Sequence, residues 1–297
     1  MTKIPLLIPV FNNPTYLNNF INQFSEFKTL SLRVLDNGSD FPPMLDLLNN
    51  LEHNNIEVVK FNKNLGPHFA IKNGTFFDSL PGIFCLSDPD IQISRNLPYD
   101  FCEILIQISN KYKVGKVGFA IEVPQEDEFL ELHVKLDGQI RNMRHWELQF
   151  WEDKIEDSEF QDPLYLNTLD TQFALYNKEF FKTSDRYKAI RVGGRFTSKH
   201  LGLYKKRIVP NAELEYYKNT SKYSYYIGNF EEDGSPFIKI TPHEYTLLNE
   251  KIEGLTREIQ RIAKERDHFL SELEKIYKSN SWKILALFRK MRKMFNV

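Results

Sequence analysis

The 297-residue sequence has only two cysteines, Cys85 and Cys102, and both stand among apolar neighbours. Two such residues are too few for the disulfide framework of a small secreted domain or for a cysteine metal site, so we expect buried free thiols. No stretch reaches the roughly 18 apolar residues that a membrane-spanning helix requires. The first ten residues also lack the apolar segment of a secretory signal peptide. Together these absences predict a cytoplasmic protein.

The sequence also lacks a large net charge of either sign. Its formal net charge of −1 excludes the basic balance that is typical of nucleic-acid-binding proteins, so no nucleic-acid partner is expected. Hydrophobic residues make up 41% and charged residues 27%, which is the composition of an ordinary soluble globular protein. A chain of this length can bury a substantial core, and we expect one large domain with an appendage.

Short apolar runs alternate with segments of helical spacing from residue 4 to about residue 120. Strands are predicted at residues 4–10, 32–35, 56–61, 83–86 and 114–121, and helices at residues 17–27, 45–51, 68–77 and 101–108. This alternation predicts an α/β fold, in which helices cover both faces of a mostly parallel sheet. Residues 122–240 are less regular, and we interpret them as the second half of the same domain.

Polar clusters follow four of the predicted strands. They are Asn12-Asn13, Asp36-Asn37-Gly38-Ser39, the segment from Asn62 to Gly66, and Ser87-Asp88-Pro89-Asp90. Each cluster alone is explained by the turn preferences of Asn, Asp and Gly. Ligands of such sheets bind outside the carboxyl ends of the strands, so the four clusters together predict a nucleotide pocket.

The pair Asp88 and Asp90 predicts a divalent metal site. Mg²⁺ and Mn²⁺ prefer oxygen ligands and bridge phosphate oxygens to proteins. A bound ion would neutralise the charge that builds on a departing diphosphate. Charged turns are common, so an Asp-x-Asp pair at any other position would be weak evidence.

The polar clusters resemble, in order and spacing, the landmarks of family 2 glycosyltransferases. The matching segments are Ile8-Pro9-Val10-Phe11-Asn12, Asp36-Asn37-Gly38-Ser39, Asn62-Lys63-Asn64-Leu65-Gly66 and Asp88-Pro89-Asp90. The resemblance implies a GT-A (Rossmann-like) fold that uses Mn²⁺ or Mg²⁺. It implies inverting transfer from a nucleotide sugar, such as a UDP-sugar, to a glycan or lipid-linked acceptor during synthesis of a bacterial surface polysaccharide.

The match continues more weakly beyond residue 120. The segments from Leu169 to Tyr176, and from Ile190 to Tyr204, resemble a bacterial branch of the family. The usual Gly-Gly-Phe motif with a downstream Glu-Asp pair is absent, and Gly193-Gly194-Arg195-Phe196 only approximates it. The position of the catalytic base therefore stays open in the sequence.

The resemblance also implies roles for single residues. The implied nucleotide-sugar-binding set comprises Pro9, Val10 and Phe11 against the nucleoside, Asp36 at the N–H of the base, Asn12, Asn64, Gly66, and Asp88 near the ribose. The implied metal ligands are Asp88, Asp90 and His200, although a lone histidine beside Lys199 is equally typical of a protein surface. Arg191 and Arg195 are further candidates because guanidinium groups pair with diphosphate; the alternative for both is surface charge.

Inversion requires a general base that takes the proton of the acceptor hydroxyl, and a carboxylate is the usual choice. Asp170 is the first candidate because it opens a polar–apolar segment that we expect to enter the sheet. Glu147 is the second, since it lies in an aromatic stretch beside Trp146. The alternative for Glu147 is a solvated carboxylate on an amphipathic segment.

The C-terminal part has a different pattern, and we divide the chain into residues 1–242, 243–278 and 279–297. Residues 248–276 carry apolar side chains at alternating spacings of four and three, interrupted by Arg266, which predicts a coiled coil that makes homo-oligomers. Residues 282–297 combine apolar and basic side chains without an acidic one, which predicts an amphipathic helix on an anionic membrane surface. Docking of either segment on the body is the alternative. We therefore expect a peripheral protein on the inner face of the cell membrane.

Two other functions remain open at this point. A nucleotidyltransferase can also use a parallel sheet and a metal, but it would be expected to have a glycine-rich loop after the first strand, where this chain has Asn12-Asn13-Pro14. A non-catalytic sugar-binding or scaffold protein, assembled through the coiled coil, is the second alternative.

Overall fold

A computed structural model describes residues 3–130, 133–136, 139–185, 188–221 and 242–280, together with Trp282, Ile284 and Phe288. The chain divides into two compact units, Met1–Lys239 and Ile240–Val297. Most of the tail predicted at residues 282–297 lies outside the described residues. Cys85 and Cys102 are free and buried, which confirms the expectation for the two thiols.

The first unit contains a nine-stranded sheet and two small two-stranded sheets. In chain order the strands are β1 (Ile4–Val10), β2 (Leu30–Asp36), β3 (Glu57–Lys60), β4 (Ile83–Leu86), β5 (Ile91–Gln92), β6 (Lys116–Phe119), β7 (His133–Leu136), β8 (Gln139–Asn142), β9 (Lys154–Ile155), β10 (Leu164–Thr168), β11 (Ala174–Asn177), β12 (Lys188–Val192) and β13 (Lys199–His200). The order in the large sheet is β3-β2-β1-β4-β11-β6-β12-β10-β9, while β5 pairs with β13 and β7 with β8.

The large sheet is mostly parallel, as the strand–helix alternation predicts. Strands β3, β2, β1 and β4 are parallel neighbours, and β6 is parallel to β12. Only β11 and β10 run antiparallel to both of their neighbours, so seven of the nine strands share one direction. The carboxyl ends of the first parallel strands therefore meet at one edge, where the polar clusters lie.

Helices cover both faces of this sheet. The helices of the first unit are α1 (Pro14–Phe24), α2 (Pro42–His53), α3 (Phe69–Lys72), α4 (Gly74–Ser79), α5 (Phe101–Tyr112), α6 (Met143–Leu148) and α7 (Asn211–Thr220). Alternate side chains of a strand point to opposite faces, so Leu6 and Ile8 enter the core with α1, α2 and α5, whereas Leu7 enters the core with α3. The predicted fold class is thus confirmed.

The helix predicted at residues 68–77 is two short helices. Asn73, at φ −86° and ψ 105°, has an extended backbone and interrupts the helical path. Its side chain accepts a hydrogen bond from Phe76 N at 2.9 Å, so Asn73 caps the second helix. The local preference of Asn for capping outweighs the apolar spacing of this segment.

Strand β11 inserts between β4 and β6, although it comes later in the chain. The insertion requires a very close approach, because a Cβ atom on Gly118 of β6 would lie 2.3 Å from Phe173 O. Only glycine fits at this position. The insertion brings the loop before β11 beside the end of β4.

The second unit contains α8 (Pro242–Lys278), a helix of 37 residues. Several apolar side chains of the predicted seam are more than half exposed, among them Leu255 at 55%, Ile259 at 67% and Phe269 at 66%. Among the described residues, no helix is both long enough and apolar enough to cross a membrane.

Candidate active site

The carboxyl end of β4 leads directly into Asp88-Pro89-Asp90. Ser87 N donates to Leu7 O at 3.1 Å and extends the pairing with β1. Thr171, from the loop before β11, holds Asp88 twice. Asp88 N donates to Thr171 O at 2.9 Å, and the hydroxyl of Thr171 donates to the Asp88 carboxylate. The inserted strand therefore fixes the first carboxylate of the pair.

His200 reaches the same place through a small sheet. Strands β5 and β13 are antiparallel, with His200 opposite Ile91. Leu201 N donates to Asp90 O at 2.8 Å, and His200 Nε2 lies 3.0 Å from Asp90 Oδ2. This pairing joins residues that are 110 positions apart in the chain.

Asp88, Asp90 and His200 form a group that fits a divalent cation. Each offers a ligand atom, and these atoms all lie within 4.8 Å of one another. The side chains of Asp90 and His200 are 18% and 12% exposed, so the group is partly shielded from water. Two carboxylates and one imidazole are suitable donors for Mn²⁺ or Mg²⁺.

The electrostatics of this group show an excess of negative charge. Burial, followed by the charge of Asp90, raises the pKa of Asp88 to about 7. Burial alone would lower the pKa of His200, but the charge and hydrogen bond of Asp90 raise it to about 9. The group therefore retains protons near neutral pH. A divalent cation would displace them, since metal binding requires neutral imidazole and ionised carboxylates.

Asp170 lies at the edge of the same group. Its carboxylate is 3.1 Å from His68 Nε2. Burial acts to raise the pKa of Asp170, but the hydrogen bond and charge of His68, with the charge of Lys116, hold the pKa below its usual range. The base role of Asp170 stays a prediction.

Lys116 fixes the backbone at Asp170. The Lys116 side chain is 1% exposed, and its ammonium donates to Leu169 O at 2.5 Å and to Asp170 O at 2.6 Å. The ammonium also lies 5.2 Å from the centre of the Tyr176 ring. A buried lysine is stable when its charge is satisfied in this way, and here it holds the loop that carries Asp170 and Thr171.

Glu147 and Arg191 form a buried ion pair. Arg191 Nη1 lies 3.1 Å from Glu147 Oε2, and their side chains are 3% and 8% exposed. Arg191 Nε also donates to Thr168 O at 2.7 Å, and the guanidinium carbon lies 3.9 Å above the Phe150 ring centre. These contacts attach α6 to the sheet. They favour a structural role over the base role predicted for Glu147 and the diphosphate contact predicted for Arg191.

Arg195 likewise pairs with a side chain of the same chain, Asp162. Its Nε and Nη2 donate to Asp162 Oδ2 at 3.0 and 2.7 Å, and its backbone N donates to Asp162 Oδ1 at 2.8 Å. This two-pronged pairing neutralises the guanidinium. The structure therefore favours neither the predicted diphosphate contact nor simple surface charge for Arg195.

The edge beside β1 and β2 holds the predicted nucleotide-binding residues. Asp36 is 3% exposed and accepts a hydrogen bond from Ser39 N at 3.1 Å. Burial raises the pKa of Asp36, partly offset by these bonds to Ser39. Pro9 and Val10 are buried in the sheet, whereas Phe11 is partly exposed at its edge.

Asn12 stabilises loops in this structure. It is fully buried, and its Oδ1 accepts from Asp40 N and Phe41 N, both at 2.9 Å. Asn64 makes a comparable local bond, since its Oδ1 accepts from Gly66 N at 2.9 Å. The φ of 82° at Gly66 favours glycine in this turn. Among these three residues, Asn12 is the least available to a ligand.

Several residues of the site were not predicted from the sequence. They are His68, Thr171 and Lys116. His68 lies two residues after Gly66, and Thr171 belongs to a segment that the resemblance includes, so both had a weak local signal. Lys116 had none, because its ammonium meets Leu169 O and Asp170 O across 53 and 54 positions of the chain.

No protein-family model matches this chain, and no curated protein sequence matches it. Solved structures similar to it include a mannosyltransferase from Pyrobaculum calidifontis in complex with GDP-Man and Mn²⁺, at 12% identity and a TM-score of 0.43, covering 72% of this chain and 59% of the other. GalNAc-T7 with UDP, GalNAc and Mn²⁺ is similar at 13% identity and a TM-score of 0.40, covering 66% and 45%. S. aureus TarS 1-349 in complex with UDP-GlcNAc is similar at 12% identity and a TM-score of 0.37, covering 73% and 65%.

The chain spans less than two thirds of the length of each of these three proteins. At these identities and at TM-scores below 0.5, the similarities carry no argument about fold or activity. What this chain does must be inferred from its own site.

Proposed function

We propose that this chain is a metal-dependent glycosyltransferase that transfers a sugar from a nucleotide sugar. The observation that carries the proposal is the group of Asp88, Asp90 and His200 at the carboxyl edge of the parallel strands. Asp36 is the last residue of β2, which is separated from β4 by β1 and ends at the same edge of the sheet. A cation-binding group beside a buried carboxylate at this edge suits a nucleoside diphosphate.

Each residue of the group has a separate task in the proposal. Asp90 and His200 hold the cation, and Asp88, fixed by Thr171, orients the nucleotide beside it. The cation, when bound, supplies positive charge that stabilises the departing diphosphate. Asp36 accepts a hydrogen bond from an N–H group of the nucleotide base. Its buried position at the end of β2 suits this role. The chain's own contribution is therefore orientation and partial exclusion of water.

The finer parts of the proposal are inversion, a UDP-sugar donor and a glycan or lipid-linked acceptor of a bacterial surface polysaccharide. They are supported by the sequence motifs alone. Asp170 and Glu147 remain the predicted bases.

The test is the binding of nucleotide sugars by calorimetry, with Mn²⁺ and with EDTA. UDP-glucose, UDP-N-acetylglucosamine and GDP-mannose serve as probes. We expect at least one to bind with Mn²⁺ and to be hydrolysed slowly without acceptor. Asp90→Asn should lose this binding, whereas the matched control Asp46→Asn, at an exposed position of α2, should keep it. Undiminished binding of a nucleotide sugar in EDTA would contradict metal dependence.

We further propose that the chain forms homo-oligomers through residues 248–276. The support is the exposure of the apolar seam on α8, with Ile262 at 52% and Ile276 at 50%. Exposed apolar seams of this spacing pair with one another. Ile262→Asp in the full chain should lower the mass measured by light scattering. Gln260→Asp, at an exposed position outside the seam, is the control, and an unchanged mass for both variants would contradict the proposal.

The final part of the proposal places the protein on the inner face of the cell membrane through residues 282–297. Basic side chains without acidic neighbours support it, because cytoplasmic leaflets carry anionic lipid. The full chain should float with phosphatidylglycerol vesicles at low salt. Lys290→Glu combined with Lys293→Glu should abolish flotation, whereas Lys264→Glu combined with Lys275→Glu should not. Equal flotation of both double variants would count against the tail.

A further inference from the structure

A small cavity lies beside Asp90, where the start of α1 meets α7. Its volume is about 30 Å³, which is room for one or two water molecules. The lining includes Tyr16 of α1, Glu213 and Tyr217 of α7, and Asp90 itself. The cavity therefore joins one of the proposed metal ligands to a helix outside the proposed metal group.

The hydroxyl of Tyr16 supplies a hydrogen-bond donor at this cavity. Tyr16 is 3% exposed, and its hydroxyl is buried without a hydrogen-bond partner among the residues that the structure describes. Burial, followed by the charge of Asp90, raises the pKa of Tyr16, so the hydroxyl keeps its proton and can donate it to a bond. Buried hydroxyl groups in proteins nearly always have a partner, and a water in the cavity would accept this bond.

Two carboxylates supply the acceptors. Glu213 Oε1 accepts from Thr15 N at 3.1 Å and its Oε2 from the Thr15 hydroxyl at 2.6 Å, while Asp90 Oδ2 lies 3.0 Å from His200 Nε2. Each carboxylate oxygen has a second lone pair, so both groups can accept a further bond. A water molecule has two O–H donors and accepts as well. One water can therefore donate to both carboxylates and accept from Tyr16.

The two carboxylates also act on one another through their charges. Asp90 and Glu213 both raise the pKa of Tyr16, so both negative charges are felt at the same hydroxyl. Like charges that share a partly buried site repel each other. A divalent cation on Asp90 would offset this repulsion, and the charge of Glu213 would in turn attract the cation. Cation binding should therefore stabilise Glu213 in its present position.

The position of Glu213 decides where α7 lies. Glu213, at 5% exposure, is the buried residue of this helix. Farther along α7, Thr220 Oγ1 accepts from Asn12 Nδ2 at 3.3 Å, and the Tyr217 ring centre lies 6.5 Å from that of Phe11. Asn12 and Phe11 belong to the predicted nucleotide-binding set. The seat of α7 therefore connects the cavity beside Asp90 with the nucleotide-binding edge.

We propose that Tyr16 and Glu213 are positioning residues for Asp90, acting through a water in this cavity, and that cation binding and the seating of α7 stabilise each other. The proposal rests on the proposed function, because it takes Asp90 as a metal ligand. Hydrogen bonds to a ligating carboxylate fix its orientation and strengthen metal binding. A coupling free energy acts equally in both directions, so the link can be measured from the cation and from the helix.

The first measurement is the affinity of the full chain for Mn²⁺ alone, by calorimetry. Tyr16→Phe removes one hydroxyl and keeps the ring in the core, and Tyr99→Phe is its control, since Tyr99 is 73% exposed. Glu213→Gln removes the second charge from the cavity, and Glu215→Gln, at an exposed position of α7, is its control. Each cavity variant should weaken Mn²⁺ binding about 3- to 10-fold, as loss of one hydrogen bond predicts, and each control should bind as the wild type does.

The second measurement is hydrogen exchange of the backbone amides of α7, without Mn²⁺ and with saturating Mn²⁺. The ion should slow exchange in α7 of the wild type, whereas the amides of α5 serve as the internal control. In Tyr16→Phe the slowing of α7 by Mn²⁺ should be smaller by the same factor as the loss of affinity, because the coupling is reciprocal. A merely structural role of Tyr16 would instead change the exchange of α7 without the ion and leave the effect of the ion intact.

The inference is overturned if a folded Tyr16→Phe or Glu213→Gln variant binds Mn²⁺ as the wild type does, or if saturating Mn²⁺ leaves the exchange of α7 unchanged. If Glu213→Gln does not fold, as judged by circular dichroism, Tyr16→Phe decides alone. Failure of the proposed function has a different outcome: the wild type then binds Mn²⁺ but no nucleotide sugar, and both measurements still decide about the cavity. Absence of any Mn²⁺ binding to the wild type overturns both.

Discussion

Replacement of Glu147 by Leu removes one half of the buried ion pair and leaves the guanidinium of Arg191 in the interior without this carboxylate. Arg191 keeps its bond to Thr168 O and its contact with the Phe150 ring, so the arginine cannot simply turn towards water. If Glu147 acts through this pair, the variant should lose stability. If Glu147 is the catalytic base, it should lose activity with little loss of stability.

The magnitude follows from the burial of both partners. Removing one partner of a buried ion pair costs about 3–5 kcal/mol of unfolding free energy. For a unit of the size of Met1–Lys239, this corresponds to a decrease in Tm of about 6–20 °C. Replacing both partners, as Glu147→Leu with Arg191→Met, removes both charges and should regain most of the loss. The double-variant cycle isolates the energy of the pair.

Urea unfolding followed by tryptophan fluorescence measures this effect. The Trp146 ring centre lies 5.4 Å from that of Phe150, the residue that contacts Arg191, so the signal arises near the pair. Hydrolysis of a bound nucleotide sugar is measured in parallel on the folded variants. The structural interpretation is refuted if Glu147→Leu stays within about 1 kcal/mol of the wild type, well below the expected cost of a broken buried pair. Loss of hydrolysis at unchanged stability would assign the base to Glu147.

Three further predictions concern the site and the sheet. Mn²⁺ affinity should rise about tenfold per pH unit between pH 7 and the His200 pKa of about 9, because the ion must displace that proton; an affinity independent of pH in calorimetry would contradict this. Gly118→Val should prevent folding, since its Cβ would lie 2.3 Å from Phe173 O, whereas Gly74→Ala meets open space, and circular dichroism of the two variants compares them. If Asp170 is the base, Asp170→Asn lowers turnover about 10²- to 10⁴-fold and retains donor affinity; loss of Mn²⁺ or donor affinity instead assigns this carboxylate to binding.

The sequence alone determined the first four strands of the first unit. The strands predicted before residue 90 lie within about two residues of β1 to β4, because buried strands and amphipathic helices differ in their local period. It also determined that Asp36 and Asp88 follow two such strands. The rule that ligands bind at the carboxyl ends of parallel strands then predicts their common edge without any knowledge of the fold.

The tertiary structure alone decided which residues surround the two aspartates. Thr171 reaches Asp88 because β11 enters the sheet between two earlier strands, and His200 reaches Asp90 because β13 pairs with β5. Neither pairing is a property of a local segment. Long-range strand pairing depends on how whole surfaces pack, and no period within one segment indicates its partner.

The same reason explains the residues whose roles the sequence left undetermined. Glu147 and Arg191 have the residue types of catalytic and phosphate-binding groups, and only their burial against each other favours a structural role. Residue type and spacing determine which chemistry is available, whereas burial and the partner of each group, which depend on the packed chain, decide how that chemistry is used.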